Sequence, residues 1–317
     1  MSNKRGKVVI AAPVHPVLVA GLNEAGYNCE IHEKITQATA AELLQGCTGI
    51  ITSTRLQIDR QLIDALPGLK WIGRMGSGME VIDVAYAASK GIACFGSPEG
   101  NCNAVGEHAL GMLLALIRRI NISNSEMKEG IWLRDENRGV ELEGKTIGLI
   151  GFGHTGRAFA KKLSGFDVRI LAYDKYSRDN MPPYVTSCDN LQPVYNEADI
   201  ISFHVPWHPE TFHYFNRQFM TKMVKSFYLI NTSRGQVVDT QALHEGILNK
   251  KISGACLDVF ETEPVSAMNA TMQNMFVELM RNSNVITTPH IAGYTVEALY
   301  KMSTTLLAKI LEGNYEG

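Results

Sequence analysis

Short runs of β-branched and apolar residues recur along the whole chain, each followed by a segment of helix length with apolar residues on one face. That alternation leaves few solutions. A parallel strand reads as a short apolar run because both its faces are covered, and joining it to the next one takes a crossover long enough to be a helix. The pattern therefore predicts an α/β fold built on parallel sheets. Candidate strands fall at 8–12, 27–31, 49–52, 71–75 and 93–95, with helical patterns at 40–44 and 59–66 between them. A helix is expected at 103–120, with Val105, Ala109, Met112, Leu113 and Leu116 on one face, then a loop around 137–144. A second series follows at 146–150, 168–172, 200–204, 227–230, 254–257 and 285–287. The last segment, 295–311, offers Val296, Leu299, Met302, Leu306 and Ile310 as a buried helix face that could return to the first series.

At 317 residues the chain accommodates two such units, and the expectation is two Rossmann-like or flavodoxin-like parallel-sheet domains with an active-site cleft between them. Their expected limits are 1–103 with 294–317, and 104–293. Thirty basic against 32 acidic residues give a net charge of -2, which offers no surplus to neutralise a phosphate backbone, so nucleic acid is not an expected partner. Nowhere is there an apolar run approaching the roughly 18 residues of a membrane span. The apolar run 8–13 reads as a buried first strand rather than a signal peptide. Cys29, Cys47, Cys94, Cys102, Cys188 and Cys256 are scattered without a C-x-x-C pair, as expected of reduced thiols in a cytoplasmic protein. In the segment 265–284, Met268, Met272, Met275, Phe276, Leu279 and Met280 follow helical spacing, which suits a core-facing helix or a partner surface.

The segment 145–156 reads KTIGLIGFGHTG, a strand running into G-x-G-x-x-G at Gly151, Gly153 and Gly156, with His154 and Thr155 inside the loop and helix-compatible residues after it. Glycines so placed permit a tight turn, close backbone approach to a diphosphate and close packing of helix on strand; the helix N-terminus then faces the anion. Asp174 ends the next strand, 23 residues beyond Gly151, where a carboxylate accepts ribose hydroxyls and repels a 2'-phosphate. NAD is therefore the expected cofactor, although Lys175 and Arg178 lie near enough to face a 2'-phosphate. Three later strands end in polar residues: Thr232 and Arg234 in NTSRG, Asp258, Glu261 and Glu263 in DVFETEP, and His290 in TPHIAG. His204, His208 and His213 are spaced by four and five, but Pro206 and Pro209 break any helix that would align the first pair, so no metal is expected.

In order along the chain, RMGSG, GNCNAVGEHALG, GFGHTG, SFHVPWHPET, NTSRG, DVFETEP and TPHIAG together resemble the D-isomer-specific 2-hydroxyacid dehydrogenases, over nearly the whole length. Within that family the pattern is most similar to D-3-phosphoglycerate dehydrogenases. Thr155 departs from it, standing where an aliphatic residue is usual. The resemblance implies a substrate domain at 1–103 with 294–317 and an NAD domain at 104–293. It implies that Arg234 holds the substrate carboxylate and polarises the keto oxygen, that His290 is the general acid and base, and that Glu263 is its carboxylate partner, with Glu261 a poorer match. Asp258 would lie near the nicotinamide, and His204, Val205, Pro206 and Thr211 would line the adenine side. Gly76, Ser77 and Gly78 would receive the substrate carboxylate, and Arg55 and Arg74 are candidates for a substrate phosphate.

The implied partners are a 2-hydroxy or 2-keto acid, foremost 3-phosphoglycerate with 3-phosphohydroxypyruvate, with glyoxylate, hydroxypyruvate or lactate as alternatives. A second copy of the chain is also implied, met through the helix 104–120 and a loop carrying Trp132 and residues 134–138. A dinucleotide-sensing binding protein of the same fold is the non-enzymatic alternative, and it would have no use for an acid–base histidine. Only one helix and a short tail follow Gly293, so a catalyst without a serine-binding regulatory domain is expected.

Overall fold

The computed structural model describes residues 5–176 and 180–313; Arg178 lies outside them. The chain forms two compact units, one of Met1–Cys102 with Tyr294–Gly317 and one of Asn103–Gly293.

The first unit is a five-stranded parallel sheet, β1 (Gly6–Ile10), β2 (Tyr27–Ile31), β3 (Cys47–Thr52), β4 (Trp71–Arg74) and β5 (Ala93–Gly96), in the order β2-β1-β3-β4-β5. Val8, Val9, Ile10, Ile50, Ile51 and Ile72 are wholly buried, as strands covered on both faces require. Gly49 faces Trp71 across the sheet, and a Cβ there would fall 2.1 Å from the indole, so glycine lets the largest core side chain sink fully. The terminal helix Val296–Glu312 belongs to this unit and buries Ala298, Met302, Leu306 and Ile310, a strict i, i+4 ridge. Its expected first contact, Val296, is 83% exposed: it immediately follows the N-cap Thr295 and lies off that ridge. The helix crosses Pro16–Glu24 at Gly21, where a Cβ would meet Leu307 at 2.3 Å.

The second unit is a seven-stranded parallel sheet, β6 (Thr146–Ile150), β7 (Arg169–Tyr173), β8 (Val185–Ser187), β9 (Ile200–Phe203), β10 (Phe227–Asn231), β11 (Ile252–Leu257) and β12 (Val285–Thr287). Its order is β12-β11-β10-β9-β6-β7-β8, so the chain runs outward in opposite directions from the adjacent pair β6 and β9. β8 has no counterpart among the expected strands: in its three residues only Val185 is apolar, too little for a pattern. The expected helix from 103 begins earlier, as Pro98–Ile117, and stops where Arg119 takes φ 56°; a separate helix, Ile120–Lys128, follows. The helix Pro98–Ile117 lies so close to the helix His154–Leu163 that a Cβ on Gly106 would fall 3.0 Å from the backbone of Ala158 and Phe159. The methionine-rich segment forms the helix Ala270–Arg281, with Leu279 buried and Phe276 edge-on to Phe260 at 5.3 Å, so it covers the core of this unit.

Among the described residues no helix is long and apolar enough to cross a membrane. None of the six cysteines forms a disulfide, and burial raises the thiols of Cys29, Cys47 and Cys94 to about 11, which keeps them protonated and unreactive at neutral pH.

Candidate active site

Open parallel sheets bind ligands beyond the C-terminal strand ends, at the point where the strand order reverses. In the second unit that point is the β6/β9 boundary, and β6 delivers the glycine turn to it. Gly151 has φ 92°, and a Cβ there would fall 2.5 Å from the His204 carbonyl oxygen, so only glycine closes the turn. A Cβ on Gly156 would fall 2.4 Å from the Gly151 carbonyl oxygen, which seats the helix against the strand end. Gly153 differs: nothing lies within 4 Å of the position its Cβ would take, and it is the N-cap of His154–Leu163 without any side-chain cap. Gly153 thus brings no side chain over the first turn at His154 and Thr155, which suits that helix start to a diphosphate.

Asp174 accepts hydrogen bonds from Phe152 N at 2.7 Å and Tyr176 N at 2.8 Å, so one carboxylate ties the glycine turn to the end of β7. Lys175 pairs with Glu210, which balances its charge beside that carboxylate. Val205 packs against Gly151, and Thr211 closes the turn after β9 by donating to the Pro206 carbonyl at 2.7 Å. Thr232 Oγ1 is buried and has no hydrogen-bond partner among the described residues, a polar atom left for a ligand at the end of β10. These residues fit a dinucleotide. The histidine expected on the adenine side is turned inward: His204 Nε2 meets Ser202 Oγ at 2.9 Å, its ring packs on Phe159, and burial lowers its pKa to about 3. Only its backbone faces the glycine turn.

The reactive groups gather at the ends of β10, β11 and β12. Arg234 follows β10 in a turn pressed against the next loop, since a Cβ on Gly235 would fall 1.8 Å from the Phe260 carbonyl oxygen. Its Nη1 donates to the Ser233 carbonyl at 2.7 Å. Glu263 Oε1 accepts from Phe260 N at 2.9 Å, and Oε2 lies 2.7 Å from His290 Nδ1. Burial pushes the Glu263 carboxyl up, but its hydrogen bonds to His290 and Phe260 N and the charges of His290 and Arg234 outweigh that and hold it below the ordinary glutamate range. It is an anion at neutral pH, and it fixes the imidazole by Nδ1, leaving Nε2 for chemistry. His290 itself has φ 55°, an uncommon conformation held by its N–H on the Asp258 carbonyl at 2.8 Å. With side chains 48% and 34% exposed, His290 and Glu263 are open to a substrate.

Asp258, expected near the nicotinamide, is placed by the structure as a clamp. Its carboxylate is 1% exposed and accepts from Thr288 Oγ1, Ile291 N and Ala292 N at 2.5, 2.8 and 2.8 Å, clamping the segment on either side of His290. The sequence reading gave no role to His108, whose Nε2 is 2.9 Å from Thr288 Oγ1; the signal was a histidine on the otherwise apolar face of Val105, Ala109 and Met112.

Glu261 is the carboxylate of a second pair. Its Oε2 is 2.7 Å from His213 Nε2, and its Oε1 accepts from Thr240 N at 2.8 Å, at the start of the helix Thr240–Leu248. With Asp239, His213 and Glu261 bring ligand atoms within 4.8 Å of one another. Asp239 Oδ1 also caps that helix, accepting from Gln241 N and Ala242 N. Two carboxylates already engaged with a positive helix end make a cap rather than a cation site.

In the first unit, Gly76 has φ 134°, and a Cβ there would fall 1.9 Å from Arg74 Nη1, so the buried Arg74 side chain lies against its own loop. Ser97 Oγ accepts from Gly76 N at 2.9 Å and shapes the Gly76–Ser77–Gly78 backbone from below. Arg55 is exposed and donates to the Glu33 carbonyl at 2.6 Å.

Comparison with known proteins agrees with this geometry. The family described as "D-isomer specific 2-hydroxyacid dehydrogenase, NAD binding domain" matches residues 110–292. A glyoxylate reductase of Thermofilum pendens is 40% identical over 253 residues, 78% of this chain and 72% of that protein. A D-3-phosphoglycerate dehydrogenase of Archaeoglobus fulgidus is 32% identical over 293 residues, 92% of this chain; the match spans only 54% of that longer protein. The crystal structure of D-lactate dehydrogenase from Aquifex aeolicus, complexed with NAD and lactic acid, superposes with a TM-score of 0.83 at 28% identity, covering 97% of this chain and 96% of that one. With the dinucleotide turn, the Arg234, Glu263 and His290 cluster and both sheet orders in place, the chain belongs to the D-isomer specific 2-hydroxyacid dehydrogenases, NAD-dependent oxidoreductases.

Proposed function

We propose that the chain interconverts a short D-2-hydroxy acid and its 2-keto acid with NAD. The observation that carries this is the His290–Glu263 pair, a solvent-open imidazole held at Nδ1 by a carboxylate that is ionised at neutral pH and lies within the field of Arg234. Nicotinamide, when bound, supplies the two-electron transfer. The chain supplies the rest: Arg234 offers a planar fork to the substrate carboxylate, and His290 Nε2 gives a proton to the carbonyl oxygen during reduction and takes it back during oxidation. Glu263 steadies the imidazole in both directions.

A two- or three-carbon acid without phosphate is the reading favoured for the substrate. Arg74, one of two candidate phosphate ligands, is buried against Gly76. The 40% identity to a glyoxylate reductase points the same way. A phosphorylated three-carbon acid, as in 3-phosphoglycerate oxidation for serine biosynthesis, is the second reading, supported by the exposed Arg55 just beyond β3. The test is oxidation of NADH by glyoxylate, hydroxypyruvate, pyruvate and 3-phosphohydroxypyruvate. The first reading expects the highest kcat/KM among the unphosphorylated acids; preference for 3-phosphohydroxypyruvate, lost in Arg55→Ala, would replace it with the second.

A homodimer through the second unit is part of the same reading. Ile120, Met127 and Trp132 are 53%, 53% and 76% exposed along the helix Ile120–Lys128 and the loop after it, apolar side chains that a second copy would cover. Light scattering is expected to give twice the chain mass, and Trp132→Glu to lower it.

A further inference from the structure

We propose that His108 is a positioning residue for His290, acting through Thr288 and Asp258. The inference rests on the acid–base reading of His290 given above. His290 sits in a left-handed backbone conformation, and the segment around it is held by one buried residue, Asp258. Asp258 grips the segment by its carbonyl on His290 N and by its carboxylate on Ile291 N, Ala292 N and Thr288 Oγ1.

Of these four donors three are backbone groups whose direction is set by the chain. The Thr288 hydroxyl is a rotor. It has three neighbours: Asp258 Oδ1 at 2.5 Å, His108 Nε2 at 2.9 Å and Met112 Sδ at 3.8 Å. A hydroxyl donates only one proton. When His108 presents Nε2–H, Thr288 Oγ1 accepts it and its own proton is committed to Asp258, which completes the clamp. Without that donor the hydroxyl can turn toward solvent or Met112, and Asp258 Oδ1 keeps only Ile291 N. His108 Nε2 is also 3.7 Å from Asp258 Oδ1, so a protonated ring would face the buried carboxylate directly. The histidine is supplied by the helix Pro98–Ile117, on a face otherwise made of Val105, Ala109 and Met112, and no substrate chemistry is needed to explain its place.

The experiment compares His108→Leu, which removes the donor, with His108→Gln, whose amide nitrogen occupies nearly the same place as Nε2. Three readouts are taken: kcat and KM for the best 2-keto acid, thermal melting, and the NMR resonance of the His290 ring Cε1–H in the free protein, assigned by its loss in His290→Ala. His108→Leu is expected to lower kcat about 10- to 100-fold, the cost of a misplaced reacting group, with KM changed less than about twofold. It is also expected to move the His290 resonance, while His108→Gln restores both. A His290 resonance unmoved in His108→Leu overturns the proposal, whether kcat is retained or falls together with the melting temperature. If the wild-type protein turns over no 2-keto acid, the proposed function fails, and the resonance still decides whether His108 positions His290.

Discussion

His290 and Glu263 meet at 2.7 Å across 27 residues of sequence, and His213 and Glu261 meet at the same distance nearby, yet the two pairs do different work. Glu261 turns its second oxygen to Thr240 N at a helix start, and its side chain is 17% exposed; Glu263 turns its second oxygen to a loop amide and leaves His290 nearly half exposed. The first pair is a structural cap and the second is open to a reactant. His290→Gln is therefore expected to lower kcat by about 10²- to 10⁴-fold, the usual contribution of a positioned acid–base group. Glu261→Gln is expected to lower the melting temperature with little change in kcat. Steady-state kinetics and thermal melting of the two variants check this, and the reverse pattern would exchange their roles.

Arg234 is held for a planar partner. One Nη1 hydrogen goes to the Ser233 carbonyl, which orients the guanidinium. Lysine would keep the charge but lose the fork. Arg234→Lys is expected to cost about 1.5–3 kcal/mol of transition-state binding, roughly 10- to 150-fold in kcat/KM. NADH affinity, measured by fluorescence titration, should change less than about threefold, because the glycine turn is held by Asp174 and by its own close packing. Equal losses in both measurements would mean that the variant disturbs the fold.

Asp174 has a structural duty beside its expected contact with the ribose. By accepting from Phe152 N it fixes the turn that contains Gly151 and Gly153. Asp174→Asn keeps an oxygen acceptor for that amide but loses the negative charge. It is expected to weaken NADH binding about tenfold, since a charged hydrogen bond is worth about twice a neutral one, and to narrow the preference for NADH over NADPH. Asp174→Ala should also lower the melting temperature. Binding titrations with both dinucleotides separate the two roles, and an unchanged NADH to NADPH ratio in Asp174→Asn would remove the charge from cofactor selection.

The elements that the sequence displays most clearly are those whose physics is local. The glycine turn is legible because Gly151 and Gly156 meet backbone atoms that tolerate no Cβ, and such positions admit one residue type. β9 and β10 are legible because both faces are covered and their residues are largely apolar in succession. β8 escapes because an edge strand of Val185, Thr186 and Ser187 needs no such run. Polar residues divide in the same way. Arg234, Glu263 and His290 stand at strand ends within motifs, whereas the burial of His204, the helix-capping duty of Glu261 and the contact of His108 with Thr288 depend on partners brought in from 2 to 180 residues away, which spacing alone does not reveal.

His204 sets a further expectation, about stability. Its ring meets Ser202 and packs on Phe159, and burial lowers its pKa from 6.5 to about 3. The folded protein therefore keeps it neutral well below the pH at which the unfolded chain protonates it. Between those two values the unfolded state binds one proton more, so stability falls as pH drops, by up to about 1.4 kcal/mol per pH unit from this residue. Above pH 6.5 the contribution is level, and the loss runs from there down toward pH 3. Phenylalanine fills a similar volume without a titrating group. Urea unfolding at pH 7 and pH 5 is expected to show a loss in the wild-type protein that His204→Phe reduces by roughly 2 kcal/mol, 1.4 kcal/mol for each of the about 1.5 pH units crossed below 6.5. An equal loss in both proteins would assign the acid sensitivity to other groups and place the His204 ring in contact with solvent.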